Sequence, residues 1–88
     1  MARQDMLSEN IASEAAGTGP DALMELGLMY CTGREVELDL AIAHKWFNLA
    51  ALRGNVEARR YRAELTGEMS KADVTRAQRL AREWMTRH

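Results

Sequence analysis

The chain has 88 residues, a formal net charge of −1 at neutral pH, 47% hydrophobic and 28% charged side chains. This length and composition describe one small soluble domain, and no apolar run approaches the roughly 20 residues that a membrane-spanning helix needs. The first ten residues have no continuous apolar stretch behind a basic start, as a secretory signal would, and the single cysteine, Cys31, excludes an internal disulfide. We therefore expect a cytoplasmic protein.

The two halves of the chain carry opposite charge. Residues 1–50 hold three basic and eight acidic side chains, whereas residues 51–88 hold nine basic and five acidic ones. This asymmetry suits a charged partner or the pairing of two copies of the chain. A homodimer is therefore one expected state.

Glycines and one proline divide the chain into five segments with helical periodicity, and strand patterns are nearly absent. The first segment, Asp5–Ala16, is weakly amphipathic. The second, Asp21–Cys31, follows Pro20, which suits the first turn of a helix. Its apolar residues surround the helix, which indicates that it is covered on more than one side.

The third segment, Asp39–Arg53, begins at a candidate N-cap, Asp39, and ends before Gly54. Its periodicity places His44, Lys45 and Asn48 on the solvent side. The predicted core residues of this helix are Ala43, Trp46, Phe47 and Ala50.

The last two segments have their own capping signals. Asn55 can cap the fourth helix, and Ser70 with Asp73 resembles a capping box at the start of the fifth. The predicted core residues of these two helices are Ala58, Tyr61, Leu65, Val74, Ala77, Leu80, Ala81 and Trp84.

The helices repeat as pairs. Ala22 recurs as Ala58 after 36 residues, and the Asp39-x3-Ala43 pattern recurs at Asp73 after 34 residues. A period of this size is typical of stacked helical repeats, in which no single unit buries its own apolar face.

The first unit resembles the Sel-1-like repeat, a relative of the tetratricopeptide repeat. Its pattern is A-x3-L-G-x2-Y-x2-G-x-G-V-x2-D-x3-A-x2-W-x3-A-A-x2-G-x3-A, and the chain departs from it only at Glu35, where a second loop glycine is usual. The matching residues, which we interpret as packing positions, are Ala22, Leu26, Gly27, Tyr30, Gly33, Val36, Asp39, Ala43, Trp46, Ala50, Ala51, Gly54 and Ala58.

The second unit follows the pattern less closely. Arg62 and Ala63 replace the Leu-Gly pair, and Thr66 replaces the tyrosine. The resemblance implies an all-α fold in which two helix-turn-helix repeats stack as a short right-handed solenoid, preceded by an N-terminal helix. We divide this one domain into an N-terminal arm (1–19), a first repeat (20–55) and a diverged second repeat with a capping helix (56–88).

No pattern of residues indicates catalysis, a metal site or a cofactor. Cys31 ends an apolar segment without cationic neighbours, so a buried structural thiol is the favoured interpretation. His44 and His88 have no third ligand at convincing spacing. The motifs of serine β-lactam chemistry and of phosphate-binding loops are also missing. We expect a protein that is not an enzyme.

The arginines of the last two helices are the basis of an alternative, a regulatory protein associated with nucleic acid. Single-strand binding usually adds exposed aromatic side chains, whereas Tyr61 and Trp84 fall on apolar stripes. Arg60–Glu64 and Arg79–Glu83 also have the spacing of helical ion pairs. A solvated helix face is therefore favoured over a nucleic-acid site.

The resemblance implies a protein-interaction module that acts as an adaptor or scaffold for another protein or peptide. Such repeats present a concave surface built mainly from the first helix of each pair. The candidate partner-binding residues on these helices are Met24, Glu25, Leu28, Cys31, Arg59 and Arg62. The alternative for Met24 and Leu28 is that the N-terminal helix covers them.

Overall fold

A computed structural model describes residues 19–87, which form four helices and no strand. The helices are α1 (Pro20–Thr32), α2 (Leu40–Leu52), α3 (Val56–Glu68) and α4 (Lys71–Arg87). The predicted all-α class is confirmed. The predicted helix over Asp5–Ala16, and with it the question of what covers Leu28 on that side, lies outside the described residues.

The predicted helix starts are confirmed, because each capping side chain accepts the expected backbone hydrogen bond. Asp39 Oδ1 accepts from the Ile42 N–H at 3.1 Å, and Asn55 Oδ1 accepts from the Ala58 N–H at 2.9 Å. Ser70 Oγ accepts from the Asp73 N–H at 3.1 Å. These bonds satisfy backbone donors that have no partner within the first helical turn.

The loop between α1 and α2 contains two residues in the left-handed backbone region. Gly33 has φ +74° and ends α1, with its N–H bonded to the Met29 carbonyl. Glu35 has φ +67°, and it occupies the position where the repeat pattern has a second glycine. The loop is tied to α1 by an ion pair between Arg34 and Glu25. Although Glu35 replaces the second glycine of the pattern, its backbone therefore keeps the left-handed conformation that glycine favours.

The helix α2 lies at the centre of the described structure. Each of the other three helices packs against it, whereas those three make little contact with one another. Trp46 and Phe47 are fully buried on α2, and Trp46 meets Trp84 of α4 edge to face at 5.6 Å between ring centroids. Phe47 stacks on Tyr61 of α3 at 5.2 Å. The side chains of α2 thus pack in the core of both repeats.

A glycine sets the separation of α1 and α2. A Cβ atom at Gly27 would lie 2.5 Å from Cδ1 of Phe47, well inside van der Waals contact. The absence of a side chain at Gly27 lets the Phe47 ring lie directly on the α1 backbone. This contact explains why the sequence pattern has glycine at this position.

The prediction that His44 faces solvent is wrong. Its side chain is 2% exposed, because α3 packs over this face of α2 and Thr66 meets the ring. Lys45 and Asn48, predicted on the same side, are half-buried. The periodicity of α2 alone could not show this, since the covering polar residues belong to another helix.

Candidate protein-interaction surface

The first helices of the two repeats, α1 and α3, approach each other at their ends although they make little contact along their length. At their N-terminal ends, Asn55 Nδ2 donates to Asp21 Oδ1 at 3.3 Å. At their C-terminal ends, Glu68 on α3 is close enough to Cys31 on α1 to help raise the pKa of its thiol. This is the arrangement that places residues of both helices on one shared surface.

The predicted contact residues on α1 differ in their exposure. Glu25 is exposed and pairs with Arg34. Leu28 and Cys31 are half-buried and pack against the core. Met24 is only 8% exposed and belongs to the buried cluster, so its assignment to the free surface is corrected. An apolar helix needs cover on several sides, and Met24 lies on one of those sides.

The predicted contact residues on α3 also differ. Arg59 is exposed. Arg62 is half-buried and donates from Nη1 to Asn48 Oδ1 on α2 at 2.7 Å. Arg62 therefore contributes to the contact between α2 and α3 as well as to the surface.

The Cys31 thiol has the environment of a structural cysteine. Burial is the main cause that raises its pKa, and the Glu68 carboxylate raises it further. The Sγ–H donates to the Leu28 carbonyl at 3.6 Å. Because the thiolate is the nucleophilic form, a raised pKa makes Cys31 less reactive at neutral pH.

Sequence reasoning missed a partly buried polar cluster between α2 and α3, in which His44 is the buried member. His44 Nε2 and Thr66 Oγ1 are 3.0 Å apart, while His44 Nδ1 has no hydrogen-bond partner. Burial and, secondarily, the positive charge of Arg62 lower the pKa of His44. The spacing of Arg62 and Thr66, four residues apart on one helix face, was the available signal.

Several arginines of α3 and α4 are engaged within the molecule. Arg79 Nε lies 3.8 Å from the Glu83 carboxylate, which confirms that predicted pair. Arg60 lies over the Tyr61 ring at 5.3 Å instead of pairing with Glu64, and Arg76 pairs with Asp39 at 3.6 Å. The arginines of the predicted surface thus contact different neighbouring residues within the molecule.

A groove of about 440 Å³ opens where α3 and α4 join. It is lined by Thr66, Met69, Lys71, Val74 and Thr75. Over residues 19–87, no three histidine, cysteine, aspartate or glutamate side chains converge as a metal site requires. None of the four described helices combines the length and apolar character needed to cross a membrane.

Comparison with known proteins identifies the repeats. The model of the Sel1 repeat family matches the chain twice in succession, over residues 20–55 and 56–87. Neither the curated proteins nor the solved structures give a match. Each match spans one helix pair of the structure, α1 with α2 and α3 with α4. Since the two matches together cover most of its length, the chain belongs to the Sel1 repeat family.

Proposed function

We propose that this protein is a non-enzymatic adaptor or scaffold that binds another protein or peptide along the surface shared by α1 and α3. Sel1 repeats are in general protein–protein interaction modules. The observation that carries the proposal is the approach of α3 to α1 at their N-terminal ends, where Asn55 Nδ2 donates to Asp21 Oδ1. The single cysteine fits a reducing compartment such as the cytoplasm.

The charge of this surface supports a polar partner. Exposed Glu25 on α1 and exposed Arg59 on α3 place opposite charges on the two helices. Half-buried Leu28 and Cys31 add apolar area on α1. A polar rim around a small apolar centre is the usual composition of a specific interface.

Site-specific photocrosslinking in the cells that produce the protein tests this proposal. A benzophenone amino acid at Glu25 or Arg59 should form a discrete crosslinked species with a partner. The same group at Arg87, near the end of α4, is the matched control and should not form that species. Equal crosslinking from all three positions, or none from Glu25 and Arg59, would contradict the proposal.

Self-association is distinguished in the same experiment. A crosslinked species of twice the 9.9 kDa chain mass would identify a second copy as the occupant of this surface. Light scattering at two protein concentrations should then show a dimer that dissociates as salt is raised, because the opposite charges of the two halves would be screened. A monomer at both concentrations would exclude this occupant.

A further inference from the structure

Two large side chains that fill the space between α1 and α2 in the first repeat have polar counterparts in the second repeat. Between α1 and α2, Leu26 and Tyr30 are 3% and 7% exposed. The residues 36 positions later are Arg62, which is half-buried, and Thr66, which is exposed. A long apolar and an aromatic side chain of the first repeat are thus replaced by two polar ones in the second.

These two polar side chains bind α2 and leave the space beside α4 open. Arg62 donates to Asn48 Oδ1, and Thr66 meets the His44 ring. Although only two residues separate α3 from α4, the two helices make little contact with each other. The groove of about 440 Å³ lies at this opening, and Thr66, the residue that replaces the tyrosine, lines it.

The lining of the groove is apolar with one positive charge. Met69 and Val74 are half-buried and offer their side chains as apolar walls, together with the methyl groups of two threonines. Among the described residues, Lys71 is the charged residue of the lining, and no carboxylate contributes to it. An anionic group next to an apolar one complements such a lining.

We propose that the groove between α3 and α4 binds a short segment of another protein that carries an aromatic or large aliphatic side chain next to a carboxylate. The apolar side chain takes the space that corresponds to Tyr30 in the first repeat, and the carboxylate pairs with Lys71. The inference rests on the proposed function insofar as the ligand is a protein, but it uses a different surface from that of α1 and α3. So small a contact predicts weak binding, with a Kd of about 0.1–1 mM.

The direct test is an NMR titration of the full chain with two probe peptides. The acidic probe is acetyl-Asp-Glu-Tyr-Leu-Asp-amide, and the matched control has lysine in place of each acidic residue. The acidic probe should shift the amide resonances of Thr66, Met69, Val74 and Thr75, and the basic one should not.

Three variants sharpen the test. Lys71→Glu should weaken binding of the acidic probe by about fivefold, since one exposed charge pair contributes up to about 1 kcal/mol, which is a fivefold change. Its folding should be retained, because an acidic residue in the first turn favours the helix dipole. Thr66→Tyr should abolish binding by filling the groove. Arg87→Glu has the same charge change as Lys71→Glu at the far end of α4 and should bind as the parent chain does.

The outcomes separate this inference from the proposed function. Shifts confined to the groove and lost in Lys71→Glu would support the inference. Shifts around Glu25 and Leu28 would overturn it and leave the α1 and α3 surface as the binding site. Equal shifts with the basic probe, unchanged affinity in Lys71→Glu, or no shift at millimolar probe would also overturn it.

Discussion

At the scale of single residues, two helical glycines have opposite packing environments. Gly27 is buried on α1, and a Cβ there would lie 2.5 Å from the fully buried Phe47 ring. Gly67 is exposed on α3, and a Cβ there would meet nothing within 4 Å. The repeat pattern requires the first glycine and not the second.

We predict that Gly27→Ala destabilises the protein by about 1–3 kcal/mol, the usual cost of overpacking a core. Alanine has a higher helix propensity than glycine by about 1 kcal/mol, so helix propensity alone would predict that Gly27→Ala stabilises the protein. Urea denaturation followed by circular dichroism measures the free energy of unfolding. Gly67→Ala is the control and should stabilise the protein by up to about 1 kcal/mol. A stabilising Gly27→Ala would refute the close contact with Phe47.

The backbone of Glu35 has a conformation that residues other than glycine rarely adopt. It adopts φ +67°, a left-handed conformation that costs an ordinary residue about 1–2 kcal/mol. We predict that Glu35→Gly stabilises the protein by roughly 0.5–1 kcal/mol, because the relief exceeds the extra freedom that glycine gives the unfolded chain.

The control for this prediction lies two residues further along. Glu37 is exposed like Glu35 but does not have a positive φ. Glu37→Gly should therefore lower the midpoint of thermal unfolding, while Glu35→Gly raises it. If both variants shift the midpoint in the same direction, the left-handed conformation of Glu35 is not the cause.

At the scale of helices, the local features were predictable and the contacts between helices were less so. Capping depends on residues close in sequence, so Asp39 and Asn55 identify the starts of α2 and α3. The burial of His44 depends on α3, which lies 22 residues further along at Thr66. Period analysis of one helix identifies its most apolar face but not a polar face that another helix covers.

The candidate site was also predicted only in part, because contacts between helices determine which of its residues are exposed. The approach of α1 to α3 is expected from the repeat, and one hydrogen bond, from Asn55 to Asp21, joins their N-terminal ends. The position of Met24 within the core does not follow, since α1 is apolar all round and its sequence does not distinguish the covered sides. The groove between α3 and α4 was also missed, although its signal was present in the replacement of Leu26 and Tyr30 by Arg62 and Thr66.

The contact between α2 and α3 makes stability depend on pH. Burial and the Arg62 charge lower the pKa of His44 below its ordinary value of 6.5. In the unfolded chain, His44 therefore binds a proton as the pH falls through 6.5, whereas in the folded protein His44 binds it only at lower pH. The free energy of unfolding should fall as the pH decreases through 6.5 and stop falling, for this residue, below the folded pKa.

We predict that the midpoint of urea unfolding is lower at pH 5.0 than at pH 7.5, and that His44→Gln reduces this difference. The glutamine keeps a polar group beside Thr66 but does not titrate. The test compares the difference between the two pH values in the parent chain and in the variant, so any general loss of stability in the variant cancels. An unchanged difference would assign the pH dependence to other groups.

At the scale of the whole molecule, the exposed residues of α3 and α4 are mostly polar, although Val56 and Met85 are exposed as well. Their exposed residues include Arg59, Arg60, Gln78 and Arg82. The buried residues of α4 are two alanines and Trp84, which meets Trp46. Within the described residues, α4 is thus attached mainly through α2.

The central position of α2 also determines the order in which backbone amides become accessible to solvent. If any one of α1, α3 or α4 detaches, two helices still cover α2, so its amide protons can exchange with deuterium only when the whole domain opens. The amides of α4 need only the separation of α4 from α2. The slowest-exchanging protons of α2 would therefore report the global opening free energy directly, and those of α4 would report a smaller, local one.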